Sequence, residues 1–191
     1  LITISTDCVF SGRKGNYTEE DLPDAADIYG KSKNLGEVTN EKNCLTVRTS
    51  IIGRELETSH SLVEWFLSNR GGGKVKGFTR AIYSGFPTIV LAEILSDLLI
   101  NYPDLNGLYH VSSEPIDKFR LLQMIRDAYN ADIEIEPFDD FQIDRSLDST
   151  RFRQATGFQP GAWEEMIEKM AADPTTPYEE IRKKLAVWNK N

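Results

Sequence analysis

The 191-residue sequence has no long apolar segment and no cluster of basic residues. No run approaches the roughly 18 apolar residues that cross a bilayer, and the first residues lack the basic flank and cleavage site of a signal peptide. The 22 lysines and arginines are outnumbered by 30 aspartates and glutamates, which gives a net charge of -8. Nucleic acids and anionic membranes are poor partners for such a chain, so we expect neither.

Cysteine is also scarce. Cys8 and Cys44 lie in apolar, strand-like segments, and buried free thiols of a reduced, cytoplasmic protein explain them better than a disulfide does. The sequence has no spacing of histidine, cysteine and carboxylate residues that is typical of a metal site, so no metal is expected. A hydrophobic content of 40% is sufficient for a real core in one domain, or in one domain plus a small lobe.

A glycine-rich phosphate loop is missing too. Neither Gly-x-Gly-x-x-Gly nor Gly-x-x-Gly-x-x-Gly occurs, and Gly71 to Gly73 follow a predicted helix instead of joining a strand to one. We therefore expect that this chain alone does not bind a dinucleotide tightly.

The most informative segment is residues 1–33. Its apolar, β-branched opening predicts a buried parallel strand, and Ser5, Thr6 and Asp7 follow where such a strand would emerge. Ligands bind at this carboxyl edge in open α/β sheets. A hydroxyl from Thr6 or Ser5 could therefore contact a substrate oxygen there.

A helix is predicted over residues 28–42, with Asp27 as its N-cap. Tyr29 and Lys33 are four residues apart, so both lie on one face of this helix. The ammonium favours the ionised phenol and makes Tyr29 a better acid or base for a carbonyl or alcohol. Taken alone, a Tyr-x-x-x-Lys pair is more often a surface contact.

Longer motifs surround this pair. The chain reads Ile-Ser-Thr-Asp-Cys-Val-Phe-Ser-Gly from residue 4, then Tyr-Thr-Glu-Glu-Asp from residue 17 and Tyr-Gly-Lys-Ser-Lys from residue 29. These motifs resemble those of the extended short-chain dehydrogenase/reductases, and within them those of the dTDP-4-dehydrorhamnose reductase group. The resemblance implies that Thr6 orients the substrate carbonyl, that Tyr29 donates the proton, and that Lys33 assists Tyr29 and holds the nicotinamide ribose. Roughly a hundred residues of cofactor-binding half would precede residue 1 in an intact member, so the chain looks like the carboxyl-terminal two-thirds of an enzyme.

The same resemblance assigns further residues. Ser50 and Ile51 would contact the cofactor, with Ile51 in place of an aromatic residue that is usual in these reductases. Substrate contacts would come from Asp7, Val9, Ser84 and Arg145. Arg145 is placed near the nucleotide because a guanidinium binds phosphate bidentately, and the alternative is a salt bridge to Asp144 or Asp148.

Arg48 and His110 receive structural interpretations. Arg48 lies inside a predicted strand, where an unpaired charge is costly, so a structural ion pair is favoured over catalysis. A lone strand histidine such as His110 is more often structural than a ligand.

The predicted fold is α/β. Residues 1–78 would form the carboxyl-terminal part of a Rossmann-like, doubly wound parallel sheet. Residues 79–191 would contain the last Rossmann strand and helix (89–113) and a small α/β substrate-binding lobe (79–88 and 114–191). Further strands are expected at 44–53, 74–78, 107–113 and 133–136, and further helices at 62–69, 89–102, 117–130, 162–172 and 177–189.

The function expected from the resemblance is reduction of a 4-keto-deoxyhexose nucleotide by NADPH or NADH, in the synthesis of sugars for surface polysaccharides. One alternative keeps the same machinery but makes an epimer or a dehydrated sugar, since Asp7 stands beside Thr6 where dehydratases carry an acidic residue. Another is a non-catalytic subunit that binds a sugar nucleotide. The oligomeric state is open, a homodimer being one alternative.

Overall fold

The computed structural model describes residues 1–55 and 58–173. Its elements in chain order are β1 (Ile2–Thr6), a 3₁₀ turn (Asp7–Val9), α1 (Ile28–Leu35), β2 (Leu45–Thr49), β3 (Ile51–Ile52), α2 (Leu62–Leu67), β4 (Gly73–Tyr83), β5 (Phe86–Pro87), α3 (Thr88–Asn101), β6 (Gly107–His110), β7 (Ile116–Asp117), α4 (Lys118–Ala128), β8 (Ile133–Asp144), α5 (Thr150–Thr156) and α6 (Trp163–Ala172).

A parallel sheet in the order β1-β2-β6 forms the centre of the molecule. Thr6 at the end of β1 lies opposite Thr49 of β2, and Arg48 lies opposite His110 of β6. Every residue of β2 is buried, as expected for the middle strand of a sheet covered on both faces. The predicted α/β fold with a Rossmann-like parallel sheet is therefore confirmed. The strand expected over 44–53 is divided at Ser50, because β3 pairs with β5 instead of with the central sheet.

The helix that carries Tyr29 is shorter than predicted. Asp27 caps α1 as expected, since its carboxylate accepts the backbone N–H of Gly30 at 2.8 Å. The helix ends at Leu35, and the expectation that it reaches residue 42 is wrong. The backbone of Val38 instead bonds the side-chain hydroxyl of Thr46, as donor at 3.2 Å and as acceptor at 2.8 Å, so tertiary contacts replace the helical hydrogen bonds.

A second sheet has the order β7-β4-β8, and this sheet with the segments attached to it is here named the lobe. β4 and β8 pair in parallel, with an irregularity between Phe78 and Arg80, and β7 pairs antiparallel with the end of β4. Both long strands extend well past the expected segments 74–78 and 133–136, because each supplies hydrogen-bond partners along the other. Residue 78, the expected end of the Rossmann-like part, lies inside β4, and the division into two parts stays a prediction.

The helices α2, α3, α4 and α6 lie within two residues of their predicted bounds. Their apolar faces and the two larger sheets share one core, which includes Phe66, Leu98, Leu121 and Ile167. The helical spacing of Leu62, Val63, Trp65 and Phe66 predicts that these residues lie in the core. Trp65 is instead 39% exposed, because it lies on the outer face of α2. The helix predicted over 177–189 lies outside the described residues.

The long segment between β1 and α1 is anchored by a second, smaller cluster of Val9, Phe10, Tyr17 and Leu147. Tyr17 N donates to Ser146 O at 2.9 Å, and Phe10 stacks on Tyr17 with ring centroids 4.1 Å apart. The segment that follows β8 is thereby held against the carboxyl end of β1. In the part of the chain that is described, no helix combines the length and apolar character needed to span a membrane.

Candidate active site

The carboxyl ends of β1 and β2 lie side by side at one edge of the central sheet. The hydroxyl of Thr6 accepts the backbone N–H of Cys8 at 3.1 Å and donates to Asp7 Oδ1 at 3.1 Å. The hydroxyl of Ser5, the other residue expected here, donates to Glu37 at 2.6 Å. Of these two hydroxyls, that of Ser5 is therefore bonded to Glu37, and that of Thr6 is bonded to the turn that follows β1.

Helix α1 crosses this edge and brings Tyr29 and Lys33 to it. The ammonium of Lys33 donates to the carbonyl of Ile4 at 2.8 Å, which holds the helix against β1. Among the described residues this is the one acceptor bonded to Lys33, so two of its three N–H groups remain for a ligand. Tyr29 has 56% of its surface exposed, and Tyr29 and Lys33 line the same cavity.

Close packing makes this placement specific. A Cβ atom at Gly30 would lie 2.2 Å from the carbonyl oxygen of Cys8, so a glycine is needed where α1 crosses the turn after β1. Glycines lower helix propensity, so Gly30 and Gly36 in the predicted helix 28–42 suggest close packing against a neighbour. This expectation is confirmed at Gly30. At Gly36 it is wrong, since the nearest atoms would be 3.6 Å away.

A cavity of about 310 Å³, here named the Tyr29 cavity, lies at this edge. Every residue that was predicted from the sequence to act in catalysis or cofactor binding lines this cavity. Its lining consists of Ile4, Ser5, Thr6, Cys8, Tyr29, Lys33, Thr49, Ser50 and Ile51.

A second cavity of about 220 Å³, here named the lobe cavity, adjoins it and shares Cys8, Ser50 and Ile51. Its other lining residues come from both parts of the fold: Asp7, Ile52, Leu62, Ile82, Tyr83, Lys118, Ile143 and Arg145. The two cavities together form one groove between the central sheet and the lobe.

The predicted substrate-binding residues divide into two groups. Asp7 and Arg145 line the lobe cavity. Val9 and Ser84 line neither cavity: Val9 is fully buried in the smaller cluster, and the hydroxyl of Ser84 accepts the backbone N–H of Leu147 at 3.0 Å. Their side chains lie in the interior and support the walls of the groove.

Arg145 is held by the turn that follows β1. Its Nε donates to Phe10 O at 3.0 Å, and one terminal nitrogen lies 3.3 Å from the Cys8 sulfur. Among the described residues Arg145 forms no salt bridge to Asp144 or Asp148, and Asp144 instead accepts from Ser146 at 2.6 Å. The guanidinium is thereby directed into the lobe cavity.

Burial raises the pKa of two acidic groups that line the groove, Asp7 and Cys8. Desolvation raises the pKa of Asp7, although the hydrogen bond from Thr6 and the charge of Arg145 act in the opposite direction. Desolvation also raises the pKa of the Cys8 thiol. A thiol that is held protonated is a poor nucleophile, so Cys8 serves as a wall of both cavities.

A buried network holds the end of α1 on the sheet. Glu37 accepts from Arg48 at 2.8 and 2.7 Å, and Arg48 lies 3.3 Å from His110 Nε2. His110 Nδ1 faces the carbonyl of Tyr17 at 2.9 Å, and burial lowers the pKa of His110 to about 4. The structural interpretations of Arg48 and His110 are confirmed.

Sequence reasoning missed several lining residues, among them Lys118 and Tyr83. Lys118 is the first residue of α4 and Tyr83 the last of β4, and both come from the lobe, far along the chain from Tyr29. No local motif marks either residue. Within residues 1–55 and 58–173, no group of three histidine, cysteine or acidic side chains could hold a metal ion.

Comparison with known proteins gives one family match and several relatives. The family described as "RmlD substrate binding domain" matches residues 1–175. Methionine adenosyltransferase 2 subunit beta of Danio rerio is 30% identical over 140 residues, which are 68% of this chain and 43% of that protein. The dTDP-4-dehydrorhamnose reductase of Aggregatibacter actinomycetemcomitans is 25% identical over 201 residues, which cover 90% of this chain and 66% of the reductase.

Among solved structures, dTDP-4-dehydrorhamnose reductase of Bacillus anthracis in complex with NADP superposes with a TM-score of 0.72 at 27% identity. The match covers 89% of this chain and 64% of that one. This chain thus spans less than two-thirds of the length of each of these relatives.

Proposed function

Since the chain belongs to the family of the RmlD substrate binding domain, we propose that it forms the catalytic and substrate-binding portion of a nucleotide-sugar reductase. The reaction would transfer a hydride from NADPH or NADH to the 4-keto carbon of a deoxyhexose nucleotide. Synthesis of sugars for surface polysaccharides is the corresponding role. A structure of the Bacillus anthracis relative contains NADP, which supports a nicotinamide cofactor.

The observation that carries this proposal is the Tyr29 cavity. Thr6, Tyr29 and Lys33 come from two elements that are separated in the chain, yet all three line one space of about 310 Å³. A surface contact between Tyr29 and Lys33 would not require a strand-end hydroxyl in the same cavity. The proximity of an acid, an ammonium and a hydroxyl donor is the arrangement that carbonyl reduction needs.

The chain's own residues can provide the proton side of this reaction. Thr6 would turn its hydroxyl hydrogen from Asp7 to the substrate oxygen and so orient the carbonyl. Tyr29 would donate its phenolic proton to the same oxygen as the C4–H bond forms, which leaves an alcohol and a phenolate. The ammonium of Lys33 stabilises that phenolate, since it is one helical turn away.

The residues also fit a nicotinamide cofactor, which when bound would supply the hydride. Two N–H groups of Lys33 have no acceptor among the described residues and could donate to ribose hydroxyls. Ser50, which follows β2, and Ile51, the first residue of β3, also line the Tyr29 cavity. Ile51 has 54% of its surface exposed and could cover one face of a planar ring.

The test measures NADPH oxidation by the full-length protein in the presence of dTDP-4-dehydrorhamnose. We expect Tyr29→Phe to lower kcat by at least 10²-fold, because general acid catalysis contributes about 10²- to 10⁴-fold. The matched control is Tyr109→Phe, which removes a hydroxyl from a partly buried ring on β6 that lines neither cavity. Activity retained by Tyr29→Phe would refute the role of Tyr29 as the acid.

An epimerase or dehydratase would use the same residues but return its cofactor. Asp7 beside Thr6 keeps this alternative open, since a buried carboxyl with a raised pKa can donate a proton. Net consumption of NADPH, one equivalent per sugar reduced, favours the reductase. Product formation with no net change in NADPH favours the alternative.

A second candidate is a non-catalytic subunit. The similarity to methionine adenosyltransferase 2 subunit beta, at 30% identity over 140 residues, favours this candidate. A subunit of this kind would bind a nucleotide ligand without turnover and would co-elute with a methionine adenosyltransferase from the same cell. Turnover that depends on Tyr29 would exclude it as the sole function.

A further inference from the structure

A cleft between α4 and α6 lies apart from the groove that contains Tyr29. Its volume is about 280 Å³, and it shares no lining residue with the Tyr29 cavity or the lobe cavity. Ile167 is buried, and Met124 and Ala128 are half-buried, so part of its lining is apolar. In the described part of the chain this cleft, here named the α4–α6 cleft, is lined by Met124, Asp127, Ala128, Glu164, Ile167 and Glu168.

The polar part of this lining is acidic and exposed. Asp127 pairs with its neighbour Arg126 at 2.8 Å, but within residues 1–55 and 58–173 the side chains of Glu164 and Glu168 have no hydrogen bond and no ion pair. These two glutamates are four residues apart on α6, so their like charges repel each other. The helix dipole offsets this repulsion at Glu164, in the first turn, but does not extend to Glu168. A partner with a cationic rim and an apolar face would therefore complement the cleft.

The sequence that follows α6 has both properties. The family match ends at residue 175, so the family does not account for this segment. In the helix that the sequence predicts over 177–189, the large apolar residues are three or four apart and share one stripe: Tyr178, Ile181, Leu185 and Trp188. At 100° per residue, Arg182 and Lys184 lie about 80° to either side of the centre of this stripe. The predicted helix thus has an apolar face with a cation along each edge.

The connection to α6 is short enough to bring this face back to the cleft. α6 ends at Ala172, and Pro174 and Pro177 stand where a proline ends one helix and begins the next. Residues 173–176 fall within the about two to five residues that join antiparallel neighbouring helices. A helix over 177–189 would be about 20 Å long and α6 is about 15 Å long. A helix that turns back after α6 therefore extends past both Glu168 and Glu164.

We propose that residues 177–189 dock, as an amphipathic helix, into the α4–α6 cleft of their own chain. The apolar stripe then covers Met124 and Ile167. Lys184 lies at the rim of the cleft, beside the carboxylates of Glu164 and Glu168. An occupant from the same chain is favoured over a separate one, because the short connection keeps the segment at a high effective concentration. This interaction is independent of nucleotide-sugar reduction.

The test is zero-length cross-linking of the full-length protein with a carbodiimide, which joins lysine amines to adjacent carboxylates, followed by mass spectrometry. We expect Lys184 to be joined to Glu164, Glu168 or Asp127. Lys169 and Glu93, which pair at 2.5 Å, provide a reference cross-link in the same sample. An equal mixture of unlabelled and heavy-isotope-labelled protein distinguishes a cross-link within one chain from one that joins two copies.

Substitutions on the predicted helix identify the face that docks. Leu185→Asp should lower the yield of the Lys184 cross-links by roughly 10-fold, because it places a charge where an apolar side chain would be buried. Trp188→Ser, on the same stripe, should act in the same direction. The matched control is Val187→Asp, at a position about 140° from the centre of the stripe, which should leave the yield unchanged.

The outcomes decide between the possible occupants of the cleft. Cross-links within one chain that are lost in Leu185→Asp and kept in Val187→Asp would support the proposal. Cross-links that join a labelled to an unlabelled chain would assign the cleft to a second copy and overturn docking within the chain. The proposal would also be overturned by Lys184 cross-links that persist in Leu185→Asp, or by their absence from a sample in which Lys169 is joined to Glu93.

Discussion

The buried pair of Glu37 and Arg48 should be a main determinant of the stability of the site. Glu37 follows α1 directly, and its side chain accepts hydrogen bonds from Arg48 at 2.8 and 2.7 Å and from Ser5 at 2.6 Å. The side chains of Glu37 and Arg48 are only 5% and 4% exposed, so water does not replace a lost partner. The perturbation is Glu37→Gln, which keeps the shape but removes the charge and presents an amide N–H₂ to the arginine.

The expected loss follows from leaving Arg48 buried without a counter-charge. Breaking a buried pair in this way costs about 3 to 5 kcal/mol in the free energy of unfolding. For a domain of this size, such a loss lowers the Tm by roughly 6 to 20 °C. Replacing both partners, in Glu37→Gln with Arg48→Met, should recover part of the loss, because no buried charge remains.

The assay is urea unfolding at pH 7, with Glu93→Gln as the matched control. Glu93 pairs with Lys169 on the exposed faces of α3 and α6, where an ion pair contributes less than about 1 kcal/mol. A loss below 1 kcal/mol for Glu37→Gln, or a double variant less stable than Arg48→Met alone, would refute the reasoning. A small loss for Glu37→Gln would mean that water reaches the ion pair. A double variant less stable than Arg48→Met would mean that the shape of the two side chains, and not their charge, sets the stability.

Two further predictions concern the same region. Burial lowers the pKa of His110 from 6.5 to about 4, so the unfolded chain binds a proton at His110 before the folded protein does. The free energy of unfolding should therefore fall by about 3 kcal/mol as the pH drops from 6.5 to 4. Urea unfolding at pH 7 and at pH 4 measures this loss, which should be absent in His110→Gln. Equal pH dependence in both proteins would contradict this. Gly30→Ala should lower the free energy of unfolding by about 1 to 3 kcal/mol, because the new Cβ would lie 2.2 Å from Cys8 O. Gly36→Ala should be close to neutral, since its nearest neighbours would lie 3.6 Å away. Equal effects of the two substitutions on urea unfolding would disprove the packing argument.

Residues that are close in the chain were predicted well. The strand before Thr6, the cap at Asp27 and the shared helix face of Tyr29 and Lys33 depend on short spacings, which backbone geometry converts directly into direction. Ser50 was assigned through the resemblance to a known family, and it lines the same cavity as Thr6. The resemblance to a known family supplied the chemical roles that spacing could not.

Other features depended on distant partners. The extent of β4 and β8 was underestimated, since each strand continues only because the other lies beside it. The end of α1 was misplaced because Thr46, a residue of β2, takes the backbone of Val38 out of the helix.

The sequence by itself determined the α/β class, the order of the main elements and the local pairing of Tyr29 with Lys33. Only the tertiary structure decided that Lys118 and Arg145 face one cavity with Asp7, and that Val9 packs inward. The physical reason is that spacing along a helix or strand sets the direction of a side chain relative to its own element. Which group it meets is decided by how separate elements pack, and local sequence does not contain that information.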